Sequence, residues 1–255
     1  MYIPAAFAEE SLPVLLSLIE RSQTGNLVTY SSQNGLFATN IPWLVETDPN
    51  PGADASASAS SSASDVREPH PEPQRPKIRL LGHIARANPH WKHFLDESES
   101  AAPAHPSMVI FQTDASAYVS PGWYPSKKEH GRHVPTWNYE AVHAYGRIEL
   151  IHDRTFLLSL VSRLTSHHEH RRNLSWSVTD APESYIATML KAIVGVVVHV
   201  DRIEGKRKMS QNREGRDVRG VVEALEAEGG REQEQGGGER ETARVMREVN
   251  ADKLV

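Results

Sequence analysis

Hydrophobic positions recur along this chain in two periods, and the changes between them predict the elements. Leu12, Leu15, Leu16 and Ile19 fall at i, i+3, i+4 and i+7, one face of a helix that Ser11 can cap and Pro13 can enter in its first turn. NLVTY and GLFATNIPWLV flank Asn34-Gly35, the signature of a β-hairpin. IRLLGHIARA is strand-like and runs into Asn88-Pro89, a cap followed by proline, which predicts a short helix from His90 to Leu95. MVIFQ and AYVS predict a hairpin across Thr113–Ser116. Val142, Ala144, Gly146, Ile148 and Leu150 alternate with polar neighbours, as a half-buried strand does.

Two helices are expected next. Asp153 caps the first, with Leu157, Leu160, Val161 and Leu164 on one face. Asp180 and Glu183 have capping-box spacing for the second, whose stripe is Ile186, Met189, Leu190 and Ile193, with Gly195 as its stop. VVVHVDRI and KRKMSQ predict a last hairpin across Glu204-Gly205. Together these give an α+β chain: a mostly antiparallel, meandering barrel with helices outside it.

Composition changes this picture in two places. Residues 48–77 are Ser/Ala/Pro-rich and almost free of large apolar side chains, so they read as a disordered low-complexity insertion within one domain made of 1–47 and 78–222. Residues 223–255 open with EALEAEGGREQEQGGGERE and read as an acidic flexible tail, with a short helix possible over TARVMREVNADKLV. These tracts lower the hydrophobic share to 38%. The net charge of −5 argues against a general nucleic-acid binder, and the absence of cysteine excludes disulfides and thiol chemistry. No signal peptide is seen, and no apolar run reaches the ~18 residues of a membrane helix. The expectation is a cytoplasmic protein, with the nucleus left open.

The segments that carry chemistry are GHIARANPHW (82–91), YVSPGWYPSK (118–127) and VPTWNYEAVHAYG (134–146). Each sets polar side chains beside bulky aromatics near a strand. A planar cofactor with a phosphate tail needs both, flat apolar walls for the ring and donors for the anion. Arg86 and Asn88 precede a helix start, where an anion is favoured. The plainer reading makes Asn88 a cap and Arg86 a surface ion pair. Trp123, Tyr124, Trp137 and Tyr139 can wall a ring or fill a core. Lys127, Lys128 and Arg132 form a basic loop. His167, His168 and His170 end a helix, where cations suit the dipole, and no metal site is expected there; His90 and His93 read as helix surface. Arg202, Lys206, Arg207, Lys208, Arg213, Arg216 and Arg219 could contact nucleic-acid phosphates or be solvated, and no helix-turn-helix accompanies them.

The same three segments, with the opening MYIP and IEGKRKMSQNR (203–213), resemble the PaiB-like flavin-binding negative transcriptional regulators over nearly the whole chain apart from the two tracts. The resemblance implies an FMN-binding split β-barrel, a homodimer with FMN in a groove between subunits, and repression of genes. It implies flavin contacts at His83, Arg86, Asn88, Trp123, Lys127, Thr136, Trp137 and Asn138, and assigns no catalytic residue. Asn40, Gly122 and Arg207 depart from the family pattern, which usually has His, Ser and Trp there. The insertion suggests a eukaryotic or fungal version. A flavin-dependent oxidoreductase of the pyridoxamine-phosphate-oxidase or flavin-reductase type is the alternative, with haem binding a further one.

Overall fold

A computed structural model describes residues 1–31, 34–48, 76–94, 106–231 and 237–254. The predicted disordered insertion, but for its ends, lies outside these residues. The strands are β1 (Ala8–Glu9), β2 (Thr24–Ser31), β3 (Gly35–Pro42), β4 (Leu44–Thr47), β5 (Ile78–Ala85), β6 (Pro106–Val119), β7 (Thr136–Ile151) and β8 (Ile193–Lys208). The helices are α1 (Leu12–Ser22), α2 (Lys127–His130), α3 (Arg154–Arg171), α4 (Glu183–Lys191), α5 (Gly215–Arg231) and α6 (Gly237–Val249). The expected α+β class with an antiparallel sheet is observed. The expectation of one domain differs from the contacts, which divide the chain into two compact units: 1–42, 107–145 and 202–255 in the first, 43–106 and 146–201 in the second. The long strands β7 and β8 contribute to both, so no composition break marks the division.

In the first unit the strands run in the order β3-β2-β6-β7-β8, with β1 also on β8. The Asn34-Gly35 hairpin forms as expected, with Ser31 opposite Gly35, whose φ of 74° glycine adopts without strain. Inward positions on β2, β6 and β7 alternate with outward ones, so Leu27, Val109, Phe111 and Val142 are buried. Leu15, Leu18 and Ile19 bury one face of α1. Each such side chain contributes about 1.5–3 kcal/mol on burial.

Two expected hairpins are instead unbroken strands. β6 runs straight through Thr113–Ser116, because Ala115 and Ala117 are needed inside a cluster with Val119, Tyr124 and Met209. β8 runs straight through Glu204-Gly205. A Cβ at Gly205 would stand 2.0 Å from Leu15 Cδ2, so this glycine permits close approach of α1 and makes no turn.

The tail expected from 223 onward is largely helical. Val218, Val221, Val222 and Leu225 of α5 meet Ala243, Val245 and Met246 of α6, all buried. The short C-terminal helix read over 242–255 is α6. Dense Glu and Arg on the outer faces hid this apolar stripe in the composition.

In the second unit the order is β7-β8-β5-β4, with Leu81 opposite Val197 and Leu44 opposite Leu81. Leu81, Leu160, Leu164 and Val197 form its cluster, with Leu44, Ile151 and Phe156 against it. Asp153 caps α3 as expected, accepting from Phe156 N at 2.7 Å. The capping box near α4 is shifted: Ser177 and Asp180 close a 3-10 turn, Pro182 precedes α4, and Gly195 lies in β8 against Leu157 and Ile151. A 3-10 turn follows Asn88, whose Oδ1 accepts from His90 N at 2.9 Å. His90, expected on the surface, is fully buried. No described helix is long and apolar enough to cross a membrane.

Candidate functional site: an aromatic sheet face and two cation clusters

Because β8 is continuous, its even positions form one stripe: Arg202, Glu204, Lys206 and Lys208. In the first unit this stripe accompanies Trp137, Tyr139, His143 and Tyr145 on β7. Trp137 is 55% exposed and meets the half-exposed Tyr118 of β6 edge to face, centroids 6.2 Å apart. Lys206 is buried. Its ammonium lies 5.1 Å from the Tyr139 ring and 5.9 Å from the Tyr2 ring, and donates to the Tyr2 carbonyl at 3.3 Å. Lys208 Nζ donates to Thr136 Oγ1 and to the Trp137 carbonyl. Among the described residues neither lysine has an ion-pair partner. Burial, and then the charges of Lys206 and Arg213, hold the Lys208 ammonium below the usual lysine range. Glu204 is occupied elsewhere, by Tyr145 Oη at 3.1 Å and by Arg202. The face therefore combines exposed ring edges with uncompensated positive charge.

The second unit carries a smaller cluster. Arg86 lies over the Trp91 ring at 5.7 Å and shares a hydrogen bond of 3.2 Å with His152 Nδ1. Trp91 Nε1 donates to the Arg86 carbonyl at 2.9 Å. No carboxylate among the described residues pairs with Arg86. Its guanidinium is held by the Trp91 ring and His152 instead. Burial pushes the His83 imidazole below the usual histidine range, and its Nδ1 is buried without a partner among the described residues.

Of the flavin contacts that the resemblance implies, His83, Arg86 and Asn88 stand in the second unit and Trp123, Lys127, Thr136, Trp137 and Asn138 in the first. Trp137 lies on the aromatic face, and Thr136 at the start of β7 is joined to it through Lys208, which donates to the Thr136 hydroxyl and the Trp137 carbonyl. Lys127 is exposed at the start of α2. Trp123 packs half-buried against the α5–α6 cluster. Asn138 points inward, fully buried, its amide donating to Ser210 Oγ at 3.0 Å and facing Met246 sulfur at 3.2 Å. It ties β7 to the residues after β8 and gives the open face no wall. The sequence named Lys206 and Lys208 as phosphate-contacting or solvated cations and did not place them beside Trp137, because a turn put at Glu204-Gly205 broke the alternation that sets them on one face.

Residues 1–202 match the family described as "Putative FMN-binding domain". The chain belongs to this family. FMN is accordingly its cofactor. An uncharacterized protein of Aspergillus fumigatus is 31% identical over 253 residues, covering 89% of this chain and 91% of its own. "Protease synthase and sporulation protein PAI 2" of Bacillus subtilis is 28% identical over 255 residues, covering 100% of this chain and 98% of its own. Among solved structures, a conserved hypothetical protein of Mycobacterium tuberculosis aligns over 83% of this chain and 92% of its own, with 9% identity and a TM-score of 0.49. A flavocytochrome of Azotobacter vinelandii aligns over 79% and 69%, with 10% identity and a TM-score of 0.46.

Proposed function

We propose that the open sheet face of the first unit holds FMN. The observation that carries this reading is the pairing of exposed aromatic rings, Trp137 and Tyr118, with the unneutralised cations Lys206 and Lys208. Trp137 and Tyr118 offer edges and faces to a planar ring. Lys208 and Thr136 offer donors to a phosphate, at the cost of releasing their present mutual hydrogen bond. Bound FMN supplies one- or two-electron redox chemistry there. Arg86, with Asn88 and His83 beside it in sequence, is the rival anion holder, supported by a guanidinium that no carboxylate among the described residues neutralises.

The exposed edge of the first unit's sheet supports a homodimer: Tyr30 and Leu36, opposite each other on β2 and β3 and 59% and 74% exposed, offer an apolar surface that a second copy would cover. The function proposed is that of a flavin-binding negative regulator of transcription, as the PaiB-like resemblance implies; the Bacillus relative is named for protease synthesis and sporulation. Direct DNA contact has less support. Arg207 is buried in ion pairs, and Arg202 and Arg216 pair with Glu204 and Glu129.

Titration of the protein with FMN and with riboflavin tests the site. Wild type is expected to bind about one FMN per chain, since a symmetric dimer repeats its site. Lys208→Ala is expected to weaken FMN roughly 10- to 100-fold, the worth of charge-assisted hydrogen bonds. Riboflavin, lacking the phosphate, should barely change. Selective loss of FMN in Arg86→Ala and not in Lys208→Ala would move the phosphate to the second unit's cluster. No saturable flavin uptake by wild type would end the proposal.

A further inference from the structure

On the buried side of the first unit's sheet lies a cleft of about 350 Å³ lined by Pro13, Val14, Ser17 and Arg21 of α1, Arg207 of β8, and Arg244 and Glu248 of α6. Three guanidinium groups face it. The carboxylates that balance them are not evenly placed. Glu140 is fully buried, and accepts from Arg207 Nε at 2.7 Å, Arg21 Nη2 at 2.8 Å and Thr113 Oγ1 at 2.9 Å. Glu241 accepts from Arg21 Nη1 at 3.1 Å and from two nitrogens of Arg244, at 2.8 and 2.6 Å. Neither Glu140 nor Glu241 lines the cleft.

Glu248 is the one carboxylate in the lining. It spans two of the three arginines, taking Arg207 Nη2 at 2.9 Å and Arg244 Nη1 at 3.4 Å. Its side chain is 53% exposed, whereas that of Arg207 is 9% exposed. A tethered, solvent-exposed carboxylate thus covers a guanidinium held rigidly from behind by Glu140. The Arg244 contact is long for a charge-assisted bond, which has its optimum near 2.7–2.9 Å. Among the described residues Arg207 Nη1 makes no hydrogen bond; Glu9 lies 3.8 Å from it.

We propose that this cleft is a binding site for a small oxyanion, a carboxylate or phosphate group on a compact molecule, and that Glu248 is the internal stand-in such a ligand displaces. Arg207 and Arg244 offer the ligand the N–H groups that Glu248 now takes, in the fork geometry that suits carboxylate and phosphate. Pro13 and Val14 give a short apolar wall to the rest of the molecule. The site lies on the opposite side of the sheet from Trp137, since Arg207 is an odd position of β8 and Lys206 and Lys208 are even ones. It does not rest on the flavin reading.

The test is calorimetric titration of the full chain with succinate and with inorganic phosphate, at fixed ionic strength, against chloride. Wild type should bind at least one of them saturably in the millimolar range, with no matching chloride isotherm. Glu248→Gln removes the competing charge, and is expected to tighten binding about tenfold. Arg244→Gln, at an exposed position that leaves the Glu140–Arg207 pair in place, is expected to weaken it about tenfold. Circular dichroism melts of both variants show whether the fold is kept, and FMN affinity should be unchanged in each. Saturable binding that neither variant alters would place the anion elsewhere. Absence of saturation in both wild type and Glu248→Gln at tens of millimolar would overturn the proposal.

Discussion

In the second unit the interior is aliphatic: Leu81, Leu160, Leu164 and Val197 pack together, and His90 is the only wholly buried polar side chain among its described residues. In the first unit Glu140, Lys206, Arg207, Asp217 and Asn138 lie buried alongside Leu27, Val109 and Val142. Burying a charge is costly unless it is paired, so the first unit is committed to particular partners in particular places. Glu140 has three donors, and Asp217 takes both the backbone N–H of Ser126 at 3.0 Å and its hydroxyl at 2.6 Å. Ser126 in turn meets His133 Nε2 at 2.8 Å, which fixes the loop carrying Trp123 and Lys127 to α5. The second unit tolerates rearrangement of like-sized apolar groups, whereas the first requires specific geometry.

The largest effect expected from this contrast is at Glu140. Glu140→Ala leaves Arg207 and Arg21 without their shared carboxylate, and should cost about 3–5 kcal/mol, read by urea denaturation. A cost below about 1 kcal/mol would mean that the network is incidental and the two interiors are alike. Leu160→Ala, in the aliphatic unit, should cost about 2–4 kcal/mol through the cavity it leaves. That loss should be the same at pH 7.5 and pH 5, because no titrating group is involved; a pH-dependent loss would erase the distinction.

The smallest expected effect is at Asp217. Asp217→Asn keeps the shape but can satisfy only one of the Ser126 donors, for a cost of about 1–2 kcal/mol at pH 7. Burial works to raise the Asp217 carboxyl, but the Ser126 hydrogen bonds, with the charges of His133 and Arg216, hold it below the usual aspartate range. Its contribution is therefore complete above the ordinary value of 3.8 and is lost as pH falls through the depressed one. Glu241 is held low in the same direction, first by its Arg244 hydrogen bonds; at Glu248 burial works to raise the carboxyl, and Arg207 with Arg244 overrides it. Melting curves at pH 7, 5 and 3.5 should show the gap between wild type and Asp217→Asn equal at pH 7 and 5 and beginning to narrow only at the lowest pH. A gap that is the same at all three would assign the loss to packing.

The same contrast separates what was legible in the residues from what was not. The alternation from Val142 to Ile148 and the Asp153 cap of α3 were readable because each depends on neighbours within a few positions. The PaiB-like resemblance likewise rests on short runs such as GHIARANPHW. The stripe of Val218, Val221, Val222 and Leu225 was present but outweighed by the charges around it, and its meaning depends on α6 lying against it.

By itself the sequence determined the α+β class, the family, the Asn34-Gly35 hairpin and the faces of α1 and α3, because local periods and turn chemistry fix these. Tertiary structure decided that Gly205 continues a strand, since only the arrival of Leu15 explains the missing side chain. It decided that Arg207 lies inside and Lys208 on the open face, one residue apart, by which side of the strand each occupies. It also decided which carboxylate each arginine finds. Glu140 is 67 residues from Arg207 and 119 from Arg21, and no pattern in a linear chain encodes a pairing over those distances.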